Sequence, residues 1–293
     1  MKRKLVNFYL ENALAIQILG ILGFMGIAVA LVAAFVIMAP ERSAVSDNDL
    51  SPETLLSEDP QGLPPERPLS LQGLMQEVLR AHGGRQALAR MQSLARRGTL
   101  NLPDGSSVGA FYIYQQPDRL SYTLRFPTYE LRVSYDGSHA WREIRSRRGP
   151  EPEVVELSPE ETRMLARDAS INQPLHLTFD SLERLRWVDD QVVGPREAYV
   201  VELRTPDQAV EERFFFDKHS FLLIKREQFS PPARDSDTVD HLVFELSDYR
   251  EVDGARYPFR ERVTRNGEFL NELVTRELRV NPGILREYFS LSR

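Results

Sequence analysis

The chain has 293 residues, with 43 acidic against 37 basic side chains and a formal net charge of −6. Charges of both signs are interleaved with no dominant basic block, which argues against a nucleic-acid partner. The 42% hydrophobic content supports a real core, and the absence of cysteine excludes disulfides, thiolate nucleophiles, zinc–thiolate and iron–sulfur sites and a lipidated cysteine.

Residues 1–12 carry Lys2, Arg3 and Lys4 ahead of an apolar run, Ala13–Ala39, whose one strongly polar interruption is Gln17. As a helix, about 27 residues reach roughly 40 Å, enough to cross a hydrocarbon core of about 30 Å with some tilt. A cleaved signal peptide is the rival reading, but its apolar stretch is shorter, and Met38-Ala39-Pro40 offers no small-x-small cleavage site. Residues 13–39 are therefore expected to be a transmembrane helix. The basic flank places residues 1–12 in the cytoplasm and everything after Pro40 across the inner membrane.

Residues 40–69 contain Pro52, Pro60, Pro64, Pro65 and Pro68 among Ser, Asp and Glu, which predicts an extended tether. Ser70 then reads as a helix N-cap, with Leu71, Leu74, Met75, Val78 and Leu79 at helical spacing. His82-Gly83-Gly84 ends that helix, and Arg85–Met91 reads as a short second one. His82 is expected to sit beside the cap rather than to bind a ligand.

From Ser93 the period falls to two. Thr99–Leu102 and Val108–Gln115 flank a Pro103-Asp104-Gly105 turn. Leu120, Tyr122, Leu124 and Phe126 alternate with polar residues, as do Tyr129, Leu131, Val133 and Tyr135. Asp136-Gly137 leads to a short strand with Trp141. Pro150 and Pro152 then bound a loop, Ser158-Pro159-Glu160-Glu161 starts a helix, and Ile171–Phe179 forms an apolar stretch.

Strands resume at Leu185–Val193, Tyr199–Arg204, Val210–Asp217 and Phe221–Gln228. After a polar loop, Pro231–Thr238, they continue at Leu242–Tyr249, Tyr257–Thr264 and Leu270–Val280, with Asp253-Gly254 and Asn266-Gly267 as hairpin turns. This is about eleven strands in one run with two helical insertions. The expected fold is mainly β (α+β): a single strongly curved antiparallel sheet over residues 70–293, with helices on one face.

No catalytic constellation emerges. Gly105-Ser106-Ser107-Val108-Gly109 matches the nucleophile-elbow pattern of hydrolases, but in a hairpin turn rather than a strand-to-helix elbow. The five histidines show no metal-ligand spacing, and the adjacent pair Asp189-Asp190 would point to opposite faces of a strand. What remains is the large apolar residues of the strands: Tyr122, Leu124, Phe126, Leu131, Trp141, Phe214, Phe216, Phe244, Leu246 and Phe259. They read either as an ordinary core or, if the curved sheet is not filled, as the lining of an apolar cavity.

Several short patterns stand in a fixed order along the chain. They are Tyr112–Leu120 with Pro117, Val133-Ser134-Tyr135-Asp136-Gly137 before Trp141, and Phe214-Phe215-Phe216-Asp217 before Phe221–Ile224. Asp248-Tyr249-Arg250, Val252-Asp253-Gly254 and Pro258-Phe259 follow, with His82-Gly83-Gly84 near the start and Asn281-Pro282 near the end. In this order they resemble the LolA/LolB-like family of periplasmic lipoprotein carriers, over about residues 70–293. The resemblance implies an incomplete β-barrel closed by helices on its concave side, around a cavity for lipid or lipoprotein acyl chains, with no enzyme activity and no cofactor. It also allows a sensor or assembly scaffold that binds an envelope protein partner. An anchor in place of a lipidated cysteine departs from the family pattern and suits short-range transfer or sorting at the bacterial inner membrane.

Overall fold

The computed structural model describes residues 70–149, 151–169, 182–230 and 240–290. The expected transmembrane helix, the tether, the Ile171–Phe179 stretch and the Pro231–Thr238 loop lie outside the described residues. No helix among the described residues is long and apolar enough to cross a membrane.

Helix α1 (Leu71–Ala81) begins where its sequence says it should: the Gly73 N–H donates to the Ser70 hydroxyl at 3.0 Å. It buries Leu74, Met75 and Val78 and ends at His82. Gly83, at φ +111°, turns the chain into α2 (Gly84–Arg90). Helix α3 (Pro159–Asp168) carries proline at its start. Its capping box is complete: Ser158 accepts from the Glu161 N–H, and the Glu161 carboxylate accepts from the Ser158 N–H at 2.8 Å.

The rest is thirteen strands: β1 (Ser93–Asn101), β2 (Ser107–Gln115), β3 (Arg119–Arg125), β4 (Tyr129–Tyr135), β5 (Ala140–Ser146), β6 (Glu153–Glu156), β7 (Leu185–Val193), β8 (Arg196–Arg204), β9 (Val210–Asp217), β10 (Leu223–Ser230), β11 (Asp240–Val252), β12 (Ala255–Arg265) and β13 (Glu268–Val280). They form one antiparallel sheet in the order β6-β5-β4-β3-β2-β1-β13-β12-β11-β10-β9-β8-β7. Every neighbour is a hairpin partner except β1 and β13, which join the two halves. The sheet is not closed: β6 and β7 end it without pairing to each other. The count exceeds the expected eleven or so. Strand β6 falls between the Pro150–Pro152 loop and the helix start at Ser158, where the sequence reading assigns no element, and its four residues are all exposed, so they show no alternation.

The sheet must curl. Strands β3 and β9 stand seven places apart in the order, roughly 34 Å if flat. Yet α3, about 15 Å long, packs on β3, β4 and β5 while its Arg167 pairs with Glu212 on β9. Leu165 and Ala169 of α3, the apolar face of α1 and inward residues from both halves of the sheet share one core cluster. The helices therefore lie on the inner side of the curl. One source of curvature is the bulge at Arg97/Gly98 between β1 and β13, where a β-carbon on Gly98 would sit 2.2 Å from the Val274 carbonyl oxygen.

Candidate functional site

Alternation sends every second strand residue inward, and the register lines these residues up across the strands. One row runs Arg142 (β5), Val133 (β4), Tyr122 (β3), Tyr112 (β2), Arg96 (β1) and Leu278 (β13). In the other half a row runs Val201 (β8), Phe214 (β9), Arg226 (β10), Phe244 (β11) and Val263 (β12). Each row threads arginine through an aromatic and aliphatic bed.

Of the ten residues singled out from the sequence, Tyr122, Leu124, Phe126, Leu131, Phe214, Phe216 and Phe259 meet in the main inner cluster. Leu246 is half-buried against it. Phe244 belongs to a second, smaller cluster with Leu242, Val263 and Leu270. Trp141 does not join them. Its chain neighbour Ala140 is in the inner cluster, so parity puts Trp141 on the outer face. There it opposes Ser134, whose hydroxyl donates to the Tyr288 carbonyl of the C-terminal segment that crosses β3 and β4.

The inner face also holds charges that the sequence reading passed over. Buried Arg96 donates to the Pro258 carbonyl at 3.0 Å, to the Thr275 hydroxyl and, at 3.5 Å, to Glu261. Glu212, fully buried, pairs with Arg167 from α3 and lies 3.8 Å from Arg226, whose guanidinium covers the Phe244 ring at 4.2 Å. With its amide oxygen turned toward α3, Gln228 accepts from Arg167 at 2.8 and 3.0 Å. This belt separates the main cluster from the smaller one around Phe244. Its signal was in the strands all along: Leu94-x-Arg96-x-Gly98-x-Leu100 and Tyr257-x-Phe259-x-Glu261-x-Val263 place a charge at an inward position each time.

Asp168, at the end of α3, lies among these groups. Burial pushes its carboxyl up to about 7; Arg226 and Arg167 oppose the rise, and Glu212 and Glu261 add to it. Taken as whole residues, Asp168, Arg142 and Arg167 are each half-buried. The hydroxyls of Tyr114 and Tyr122 are held well above the ordinary phenol value by burial, with the charge of Asp168 contributing.

His82 caps α1, as expected. Its Nδ1–H donates to the Val78 carbonyl at 2.8 Å, and its Nε2 faces the Leu223 N–H at 3.5 Å, an arrangement that suits the neutral ring. Burial lowers its pKa to about 4, and Arg256 contributes in the same direction. Ser107, of the Gly-x-Ser-x-Gly match, is exposed at the start of β2 and donates to Asn101 at 2.8 Å. Among the described residues no group of three or more His, Asp or Glu is placed to hold a metal ion. Among the described residues, one recess of about 160 Å³ lies on the outer side between β1, β2, β13 and Tyr288, and another of about 320 Å³ lies between α1 and the Asp253-Gly254 turn. Chemically, the inner face offers an apolar bed with discrete cations and hydroxyls set into it.

No family model matches the chain, and none of the curated proteins does. Solved structures do. A DUF1329 family protein from Desulfovibrio piger is 14% identical, with 75% of this chain and 96% of that chain covered and a TM-score of 0.40. A LolA superfamily protein from Nitrosomonas europaea is 13% identical, with 74% and 96% covered and a TM-score of 0.46. The structural neighbours thus include a member of the superfamily that the sequence patterns resemble.

Proposed function

We propose that residues 70–293 bind the acyl chain of a lipid or lipoprotein on the inner face of the curled sheet, for transfer or sorting, and that residues 13–39 hold the domain at the periplasmic side of the bacterial inner membrane. One observation carries the reading. The sheet is open along β6 and β7 while its inner face gathers seven of the predicted apolar residues into one cluster. A closed barrel or a flat sandwich would bury such a cluster without a seam; here an elongated apolar guest has a route in that breaks no strand pairing.

A second reading, an envelope sensor or scaffold that binds a protein, is favoured by the same edges. Val154 and Val155 on β6 are 40% and 36% exposed, and Val192 on β7 is 73% exposed, on edges that no other strand among the described residues pairs and that an extended peptide can join.

Native mass spectrometry of the full chain, isolated from membranes and washed free of loosely held lipid, tests the first reading. A chain cut after residue 69 serves as the anchor-only control. An acyl lipid retained at about one per full chain and absent from the control is expected. A bare domain, or a stoichiometric peptide in its place, contradicts it. The same spectrum reports the mass of the chain: 33.7 kDa intact is expected, and loss of about the first 39 residues contradicts the anchor.

A further inference from the structure

The row that crosses the first half of the inner face is built like a head-group site. Arg142 opposes Val133, which opposes Tyr122, which opposes Tyr112, which opposes Arg96. Apolar rows flank it on both sides: Leu131, Leu124 and Ala110 on one, Tyr135, Leu120 and Tyr114 on the other. Arg96 is committed to Thr275, Pro258 and Glu261. Arg142 differs. Its Nε is buried without a hydrogen-bond partner, and among the described residues no carboxylate pairs with it. Arg142 as a whole is half-buried, so it is this one N–H that the fold leaves without an acceptor, and a buried guanidinium N–H calls for one. The Tyr122 hydroxyl feels the charges of Asp168, Arg142 and Glu161, in that order, and α3, which carries the two carboxylates, packs over β3, β4 and β5 at this place.

The charge balance agrees. Among the described residues, the buried and half-buried charges of the inner face are Arg96, Arg142, Arg167 and Arg226 against Glu212, Glu261 and Asp168. That leaves cation in excess in a setting where isolated charge is disfavoured.

We propose that Arg142 receives the anionic head of a single-chain amphiphile, a carboxylate in the first instance, whose tail lies on the flanking apolar rows. This rests on the acyl-binding reading above and narrows it: the ligand class is an acid, bound head-in under α3.

Photoreactive palmitic acid and its neutral methyl ester separate the two claims. Membranes carrying the full chain are incubated with either probe, irradiated, and the adducts on residues 70–293 quantified. The acid is expected to label at least about tenfold better than the ester, the discrimination that a charge-assisted contact supplies. Arg142→Gln should bring the acid down to the level of the ester and leave the ester unchanged, whereas Arg142→Lys, which keeps the charge, should retain most of the preference. Ester labelling also shows that the Gln variant is folded. Millimolar inorganic phosphate should not compete, because a free anion lacks the tail. Equal labelling by acid and ester overturns the head-group site while acyl binding stands. Displacement by phosphate reassigns the site to a free anion and overturns it too. Absence of label from both probes overturns acyl binding itself.

Discussion

Two buried titratable groups pull the pH dependence of stability in opposite directions. His82, with its pKa lowered to about 4, resists protonation in the folded chain; the unfolded chain takes up the proton near 6.5. Acidification from pH 7 to 4 therefore lowers stability through His82. Asp168, raised to about 7, does the reverse: the folded chain takes up its proton over the same window and the unfolded chain does not, so acidification raises stability. The native profile should lie between those of two variants. Asp168→Asn should lose stability on going from pH 7.5 to 5 relative to the native chain, and His82→Gln should gain, each by about 2 kcal/mol. Urea midpoints followed by tryptophan fluorescence measure this, since both tryptophans, Trp141 and Trp187, lie in the domain. Three parallel profiles would contradict it. His82 was legible in the sequence as a cap residue because cap chemistry is local. The place of Asp168 was not: its surroundings come from β9, β10 and β12, far along the chain.

At the level of elements, the short motifs turn out to be joints between distant segments. His82-Gly83-Gly84 meets the Asp253-Gly254 turn of β11 and β12: the Arg256 N–H donates to the His82 carbonyl, and a β-carbon on Gly83 would stand 2.2 Å from the Gly254 oxygen. Asn281 closes a second joint. Its side chain accepts from the Gln92 and Ser93 N–H groups and donates to the Arg90 carbonyl, tying the end of β13 to the start of β1. Tyr249 forms a third by donating to the Leu223 carbonyl at 2.6 Å. Gly83→Ala combines a clash with backbone that L-residues rarely adopt and should cost about 2–4 kcal/mol in urea unfolding; a cost below about 0.5 kcal/mol would show that the joint yields. The residues of these motifs could be read from the sequence, but their mates could not, because nothing local pairs residue 83 with residue 254. Strand β6 escaped for another reason: Glu153-Val154-Val155-Glu156 is exposed throughout and has no buried face to set a period.

At the level of the whole molecule, alternation gave the strands, and their order follows from hairpin chemistry. The curl depends on the β1–β13 pairing and on α3 bridging β3–β5 to β9, contacts between residues far apart in the chain. The inward face was legible by parity for most of the predicted residues and failed at Trp141, in the short strand after Asp136-Gly137, where Ala140 and Ile144 take the inward places instead. The account stands on that inner face being the binding surface. Its most direct test places a photoreactive phenylalanine analogue at Phe126 or Leu246, on the inner side, and at Phe111, on the outer side, in the full chain in native membranes. Acyl-lipid adducts at Phe126 and Leu246 with little or none at Phe111 are expected. Equal labelling at all three positions, or adducts at Phe111 alone, would contradict it.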